Sequence, residues 1–406
     1  MIFLFSCDVN LPGLPSSKNQ TKFPRLISNS KGEILLSWFE EIEPDIWALM
    51  SSIFSNKVWS LPNVITKNKE YFINWADFPS TNYINDDTLV AHWLEKSGPG
   101  TYDYDVHLSF SFNRGADWTS SQIPHATLIK GEHGFVSFGI GKSIHDVVWL
   151  DGRNMIMDHS KEDYGQMSLY HSSFTSNGNL INEYEIDDRV CECCPTSSVR
   201  VKDTLIVAYR NRSLDEIRDI YIARRVGDTW EKSYPVHNDG WSIAGCPVNG
   251  PMLSANNSNV ALAWYTSANG NPSVKVAFST NSGKNFSTPQ RVDLSMPIGR
   301  VDIEWISNSE ILISWIEDGD DSSNILARRI SLDNNLSNET LIEKIPPGRV
   351  TGYPQMEVFN ENVLFAWTEN KKTSLKISLK YYEGDPVIKE ICLLYTSPSP
   401  RDLSTS

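Results

Sequence analysis

A hydrophobic segment that ends in an aromatic residue, usually with an acidic residue two places later, recurs seven times along this chain. The aromatics stand at Trp38, Trp93, Trp149, Tyr209, Trp264, Trp315 and Trp367, giving steps of 55, 56, 60, 55, 51 and 52 residues. An acid follows at Glu40, Glu95, Asp151, Glu317 and Glu369, with Asn211 and Thr266 in the other two copies. A period of this length marks a repeat architecture. Because the repeat covers residues 24 to 382, it overrides the two or three domains that 406 residues would otherwise suggest.

Each repeat unit reads as strands joined by turns. A first strand opens 14 places before the aromatic, at Pro24, Pro79, Phe135, Pro195, Gly250, Val301 and Tyr353. It passes through a polar turn such as Ser28-Asn29-Ser30-Lys31-Gly32 into the strand that carries the aromatic. A third strand follows, as in Val106-His107-Leu108-Ser109-Phe110 and Val274-Lys275-Val276-Ala277-Phe278. Four-stranded antiparallel blades set radially around a channel make an all-β propeller. Seven copies predict seven blades, with six blades and one divergent copy as the alternative.

Composition narrows the function. A net charge of -14 and a pI near 5.1 repel phosphate backbones, which argues against a nucleic-acid partner. No stretch reaches the roughly 18 apolar residues of a membrane-spanning helix. Residues 1–19 read as a leader remnant and linker, 20–391 as one propeller, and 392–406 as a foreign tail. Met1-Ile2-Phe3-Leu4-Phe5-Ser6-Cys7 resembles the end of a bacterial lipoprotein signal, so lipidation of Cys7 and export to the cell envelope, periplasm or medium are expected. The tail from Cys392 back-translates without mismatch into a sequencing-library adapter and is expected to be read-through.

In a propeller the connections into the first strand and out of the second emerge on one face, where function collects. The inbound loops hold Trp75-Ala76-Asp77, Glu132-His133-Gly134, Cys191-Glu192-Cys193-Cys194, Cys246-Pro247-Val248-Asn249, Gly299-Arg300-Val301-Asp302 and Arg349-Val350-Thr351-Gly352-Tyr353. The outbound loops hold Glu40, Glu95, Asp151-Gly152-Arg153 and Arg210-Asn211-Arg212-Ser213, the last running on to Arg218. Charged residues at strand ends also form solvated ion pairs worth about 0 to 1 kcal/mol each; that plain structural reading stands beside the functional one.

Two segments after third strands, Ser111-Phe112-Asn113-Arg114-Gly115-Ala116-Asp117-Trp118 and Ser279-Thr280-Asn281-Ser282-Gly283-Lys284-Asn285-Phe286, resemble the Asp-box of the sialidase superfamily. Asn stands for Asp in both, Phe for Trp in the second, and the family's Arg-Ile-Pro text is absent. The resemblance implies a glycan as partner or substrate and an exo-glycosidase chemistry for acidic sugars. Arg212, Arg300 and Arg349 would grip a carboxylate, Tyr353 would be the nucleophile, and Asp77 or Glu132 the acid and base. Trp75 and Trp241 offer rings that could stack on a sugar, with His133 beside them. A non-catalytic glycan- or protein-binding propeller is the alternative.

Cys191, Cys193, Cys194 and Cys246 lie in adjacent inbound loops. In an exported protein disulfides are the default. A thiolate metal site taking Zn or Cu(I), completed by His133 or His237, and free thiols are the alternatives. A cysteine-based metal or redox protein is thus a third functional class.

Overall fold

The computed structural model describes residues 19–155, 165–319, 321–359, 362–369, 372–379 and 387–388. Cys7, residues 1–18 and the 392–406 tail lie outside them. Among the described residues the secondary structure is β apart from one short turn of helix at Ala268–Gly270, and no helix is long and apolar enough to cross a membrane.

The fold is a β-propeller whose sheets are built from antiparallel strands consecutive in sequence. Six sheets carry four successively paired strands; their first strands are Thr21–Ser28, His133–Gly139, Ser197–Val201, Met252–Asn256, Pro297–Trp305 and Gln355–Phe359. The second repeat differs. Its sheet has three strands, Ser80–Tyr83, Leu89–Lys96 and Tyr104–Ser111, so seven four-stranded blades are corrected to six, accompanied by this smaller sheet. The cause is local. After Ser111 the chain turns and returns for one bridge only, where Leu108 and Gln122 exchange N–H···O bonds of 2.8 and 2.9 Å. Pro124, which has no N–H to give, follows two residues later and the ladder stops.

The repeated aromatic and its acid form a working pair. Residues i and i+2 of a strand share a face, and the indole N–H donates to the carboxylate two places on. The distances are 3.1 Å for Trp38 to Glu40, 3.2 Å for Trp93 to Glu95, 2.8 Å for Trp149 to Asp151 and 2.9 Å for Trp315 to Glu317. Where the second residue is Thr266, Trp264 instead finds Asp239 at 2.8 Å. The buried rings of Trp38, Trp93, Trp149, Trp264 and Trp315 thus fill the space between blades while their one polar atom is satisfied.

The ring closes by packing of the first sheet on the last. Leu26, Ile34, Leu36 and Trp38 share a core with Phe359, Leu364 and Ala366. Ser28 donates to Glu357 at 2.7 Å, and the Phe23 N–H donates to Thr368 at 2.9 Å.

First strands begin with a bulge in three blades: register shifts fall between Lys22 and Arg25, opposite Val148/Leu150, and between Gly299 and Asp302. Each contains a non-glycine residue in the left-handed region, Phe23 at φ 53°, Phe135 at 54° and Arg300 at 53°. A bulge re-aims the side chains that follow it. Here it frees backbone N–H groups that a neighbouring blade then caps. Asp77 accepts from Phe135 N–H at 2.7 Å, and Asn249 accepts from Arg300 N–H at 2.8 Å.

Candidate functional site

Two carboxyls and a phenol meet beneath the inbound loop of the third repeat. Tyr104 opens the third strand of the three-stranded sheet, lies wholly buried, and stacks on Phe72 with ring centroids 4.0 Å apart. Its hydroxyl lies 3.0 Å from Asp77 Oδ2 and 2.7 Å from Glu132 Oε1. One phenol carries one proton, so both contacts are satisfied only when one of the acids is itself protonated. Burial pushes the Asp77 carboxyl up to about 7 despite bonds from Phe135 and Tyr104. Burial likewise lifts Glu132 to about 8, with the Asp77 and Glu192 charges adding to it. The Tyr104 hydroxyl is raised as well, by burial and by these two acids. Gly134 makes the meeting sterically open: a Cβ there would stand 2.0 Å from Asp77 Oδ2 and 2.9 Å from the Tyr104 ring.

Glu132 reaches a cavity of 420 Å³ that it shares with Glu192, Cys193, Arg212, Arg218 and Cys246. The two arginines and two glutamates form a closed alternating ring. Arg212 bonds Glu192 and holds Glu216 from Nε at 2.9 and 3.0 Å; Arg218 holds Glu192 at 2.6 Å and Glu216 at 2.9 Å. Burial would raise Glu216, but the bonds from Arg212 and Arg218 hold its carboxyl below the ordinary range. Its side chain, 26 % exposed, is the most open of the four.

The cysteines form the wall beside this ring. Cys191 Sγ lies 3.9 Å from Cys193 Sγ and 3.4 Å from Cys194 Sγ, and Cys193 contacts Cys246. All four are free, so the expected disulfides are absent from this cluster. Burial would raise Cys191, but its neighbouring thiols and the Arg218 guanidinium, 3.2 Å away, hold it well below the ordinary thiol range.

The other expected residues fall elsewhere. Tyr353 is buried, faces no carboxylate, and donates to the Val248 carbonyl at 2.6 Å. Arg300 is buried and donates to the carbonyls of Gly352 and Gly348 at 3.1 and 3.0 Å. Arg300 and the exposed Arg349 stand 4.6 and 5.3 Å over the Trp75 ring, which also stacks on Tyr353. Trp241 is buried against Tyr265 and under Arg210. Arg212, Arg300 and Arg349 therefore do not gather as one grip: Arg212 lies in the glutamate ring and the other two lie at Trp75. His133 is buried, stacks on His125 at 4.1 Å, and has Asp105 and Asp151 within 3.3 and 3.5 Å. His237 pairs with Asp239 at 2.9 Å instead of completing the thiol cluster.

Tyr104 was the functional candidate that the sequence rule missed, and Arg218, on a loop the rule selected, was not singled out for a role. The rule took loops into first strands and out of second strands, but third strands also start on that face, and Tyr104 is such a start. Arg218 stands well down a long outbound loop, and only folding returns it to Glu192.

No family model matches the chain, and no curated protein matches it in sequence. Solved structures do match. A polysaccharide lyase aligns with a TM-score of 0.52 and 10% identity, covering 88% of this chain and 89% of its own. A Hadza microbial sialidase aligns at 0.50 and 11% identity, covering 89% of this chain and 66% of its own. The likeness to both is one of β-propeller fold.

Proposed function

We propose that the chain is a glycan-acting propeller and that its site is the 420 Å³ cavity beside Glu132. The observation that carries this reading is a carboxyl raised to about 8, held by Tyr104 and facing a cavity whose other wall is an arginine–glutamate ring. The cavity volume suits one or two sugar units. A glutamic acid that keeps its proton at neutral pH can give it to a departing glycosidic oxygen. Glu216, ionised beside it, supplies the opposite polarity: paired acids whose environments push them apart mark acid and base roles. An acidic sugar would enter by exchanging its carboxylate for that of Glu216, the most open member of the ring, and so take over the forks of Arg212 and Arg218. The names of the two solved relatives, a polysaccharide lyase and a sialidase, agree with a glycan substrate.

A binding-only propeller has its own supporting observation: both arginines are already saturated by carboxylates, and Tyr104 is inaccessible. The deciding experiment is turnover of a panel of sialosides, uronate oligosaccharides and neutral glycosides by wild type and Glu132→Gln. Hydrolysis that falls by roughly 100-fold or more in Glu132→Gln, with KM preserved and an activity limb lost above about pH 8, is the expected result. Saturable binding of an acidic glycan with no product from wild type would establish the binding-only reading and remove the catalytic one.

A further inference from the structure

The cysteine cluster is organised as a ligand set, independently of what the cavity beside it turns over. Zinc–thiolate bonds are about 2.3 Å long, which puts the sulfurs of a tetrahedral site roughly 3.8 Å apart. The observed separations, 3.4 Å for Cys191 to Cys194 and 3.9 Å for Cys191 to Cys193, bracket that edge. Cys191 approaches two sulfurs at once, an arrangement that suits a shared ion and not a disulfide, which joins two sulfurs at about 2.05 Å. The sulfurs of Cys191, Cys193 and Cys194 all lie within 4.8 Å of one another, and a fourth is at hand on the next inbound loop, where Cys246 interacts with Cys193.

Two donors point at these sulfurs. Arg218 donates to Cys191 Sγ at 3.2 Å and the Asn249 N–H donates to Cys194 Sγ at 3.4 Å, the kind of outer hydrogen bonds that orient thiolate ligands. Arg210 is 2 % exposed and donates to backbone carbonyls: Asn249 at 3.0 and 2.8 Å, Arg218 at 2.6 Å and Tyr265 at 2.8 Å. No carboxylate pairs with it among the described residues, yet a buried charge requires a counter-charge. The cysteine cluster is its neighbour through Asn249, whose carbonyl accepts from Arg210 and whose N–H donates to Cys194 Sγ. Four thiolates on Zn²⁺ carry a net charge of about -2; the Arg210 guanidinium, outside the glutamate ring, offsets part of it, and Arg218 adds its hydrogen bond to Cys191. The backbone is also shaped for the approach: a Cβ on Gly250 would sit 2.0 Å from the Pro195 carbonyl oxygen, so glycine there lets the Cys246 loop close on the Cys191–Cys194 loop.

We propose that Cys191, Cys193, Cys194 and Cys246 bind one zinc ion in the wall of the cavity, with Cys246 as the exposed, last-closing ligand. The test uses the full chain with Cys7→Ser and Cys392→Ser, purified without chelator, and reads zinc and copper per chain by elemental analysis. Thiol reactivity is counted before and after a chelator, and the cobalt(II)-substituted protein is recorded for thiolate charge-transfer bands. Expected are one zinc per chain, thiols that react only after chelation, and intense charge-transfer absorption. Cys246→Ser, at a surface position, is expected to keep the fold by circular dichroism, to weaken zinc retention at least tenfold and to shift the cobalt spectrum toward three thiolates. Copper in place of zinc, a disulfide found by mass spectrometry of the unreduced chain, or four freely reactive thiols with no metal would each overturn the assignment.

Discussion

Replacing Asp77 by Asn should make the protein more stable at alkaline pH, although it removes a carboxylate that holds two hydrogen bonds. Burial lifts the Asp77 carboxyl from an ordinary 3.8 to about 7. Between those values the folded protein keeps a proton that the unfolded chain has released. The unfolded state therefore binds fewer protons than the native state, and unfolding free energy falls by about 1.4 kcal/mol per pH unit. The loss is complete above the folded value and absent below the unfolded one. From pH 5 to pH 8 roughly two units of that window are crossed, so wild type loses about 3 kcal/mol through this residue. An asparagine accepts the Phe135 N–H as the acid does, 2.7 Å in the wild type, and carries no charge to desolvate. Its cost is the Tyr104 contact at 3.0 Å, about 1 kcal/mol, which Tyr104 offsets by donating to Glu132. The assay is the thermal midpoint of both proteins at pH 5 and pH 8 at one ionic strength. Asp302 and Glu357 are also raised, to about 6 and 8, and taking the difference between the two proteins cancels their shared contribution; Glu132, which the Asp77 charge helps to raise, is raised less in the variant and moves the difference in the same direction. Expected is a midpoint for Asp77→Asn that gains several degrees on wild type between pH 5 and pH 8. A midpoint difference that does not change with pH would show that Asp77 titrates as an ordinary carboxyl, and the proton-sharing account of Tyr104 would fall with it.

Two further predictions concern the repeat and the loop contact. Trp315→Phe should cost about 2 to 4 kcal/mol, because it leaves the buried Glu317 without its 2.9 Å indole donor and opens space between blades; Glu317→Gln, which keeps an acceptor, should cost under about 1 kcal/mol, and equal losses in denaturant titrations would contradict the pairing. Gly250→Ala should lower both the thermal midpoint and the zinc retained per chain, since its Cβ would stand 2.0 Å from a backbone oxygen that has no side chain to move; retention of both at wild-type level would mean the loop approach is not what sets the cluster.

The repeat was legible because its cause is local. An indole can reach a carboxylate two residues along the same strand without help from the rest of the fold, so selection for that contact leaves a pattern in text: Trp38 with Glu40, Trp93 with Glu95, Trp149 with Asp151. The exception at Trp264 shows the limit, for Asp239 comes from the preceding repeat. The strand count was less legible. Whether the second repeat ends in a fourth strand turned on a single bridge at Gln122 and on Pro124 after it.

The amino-acid order alone determined the all-β class, the repeat, the face on which reactive residues collect, and the neighbourhood of the four cysteines, because each follows from period and strand direction. Tertiary structure decided which of those residues touch. Asp77, Tyr104 and Glu132 are 27 and 28 residues apart in pairs and meet at one hydroxyl. Tyr353 and Arg300, which looked equally suited to chemistry, are turned inward onto backbone carbonyls. A side chain's role depends on its partners and its distance from water, and in a ring of blades both are set by the neighbouring repeat, which the residue's own sequence context does not contain.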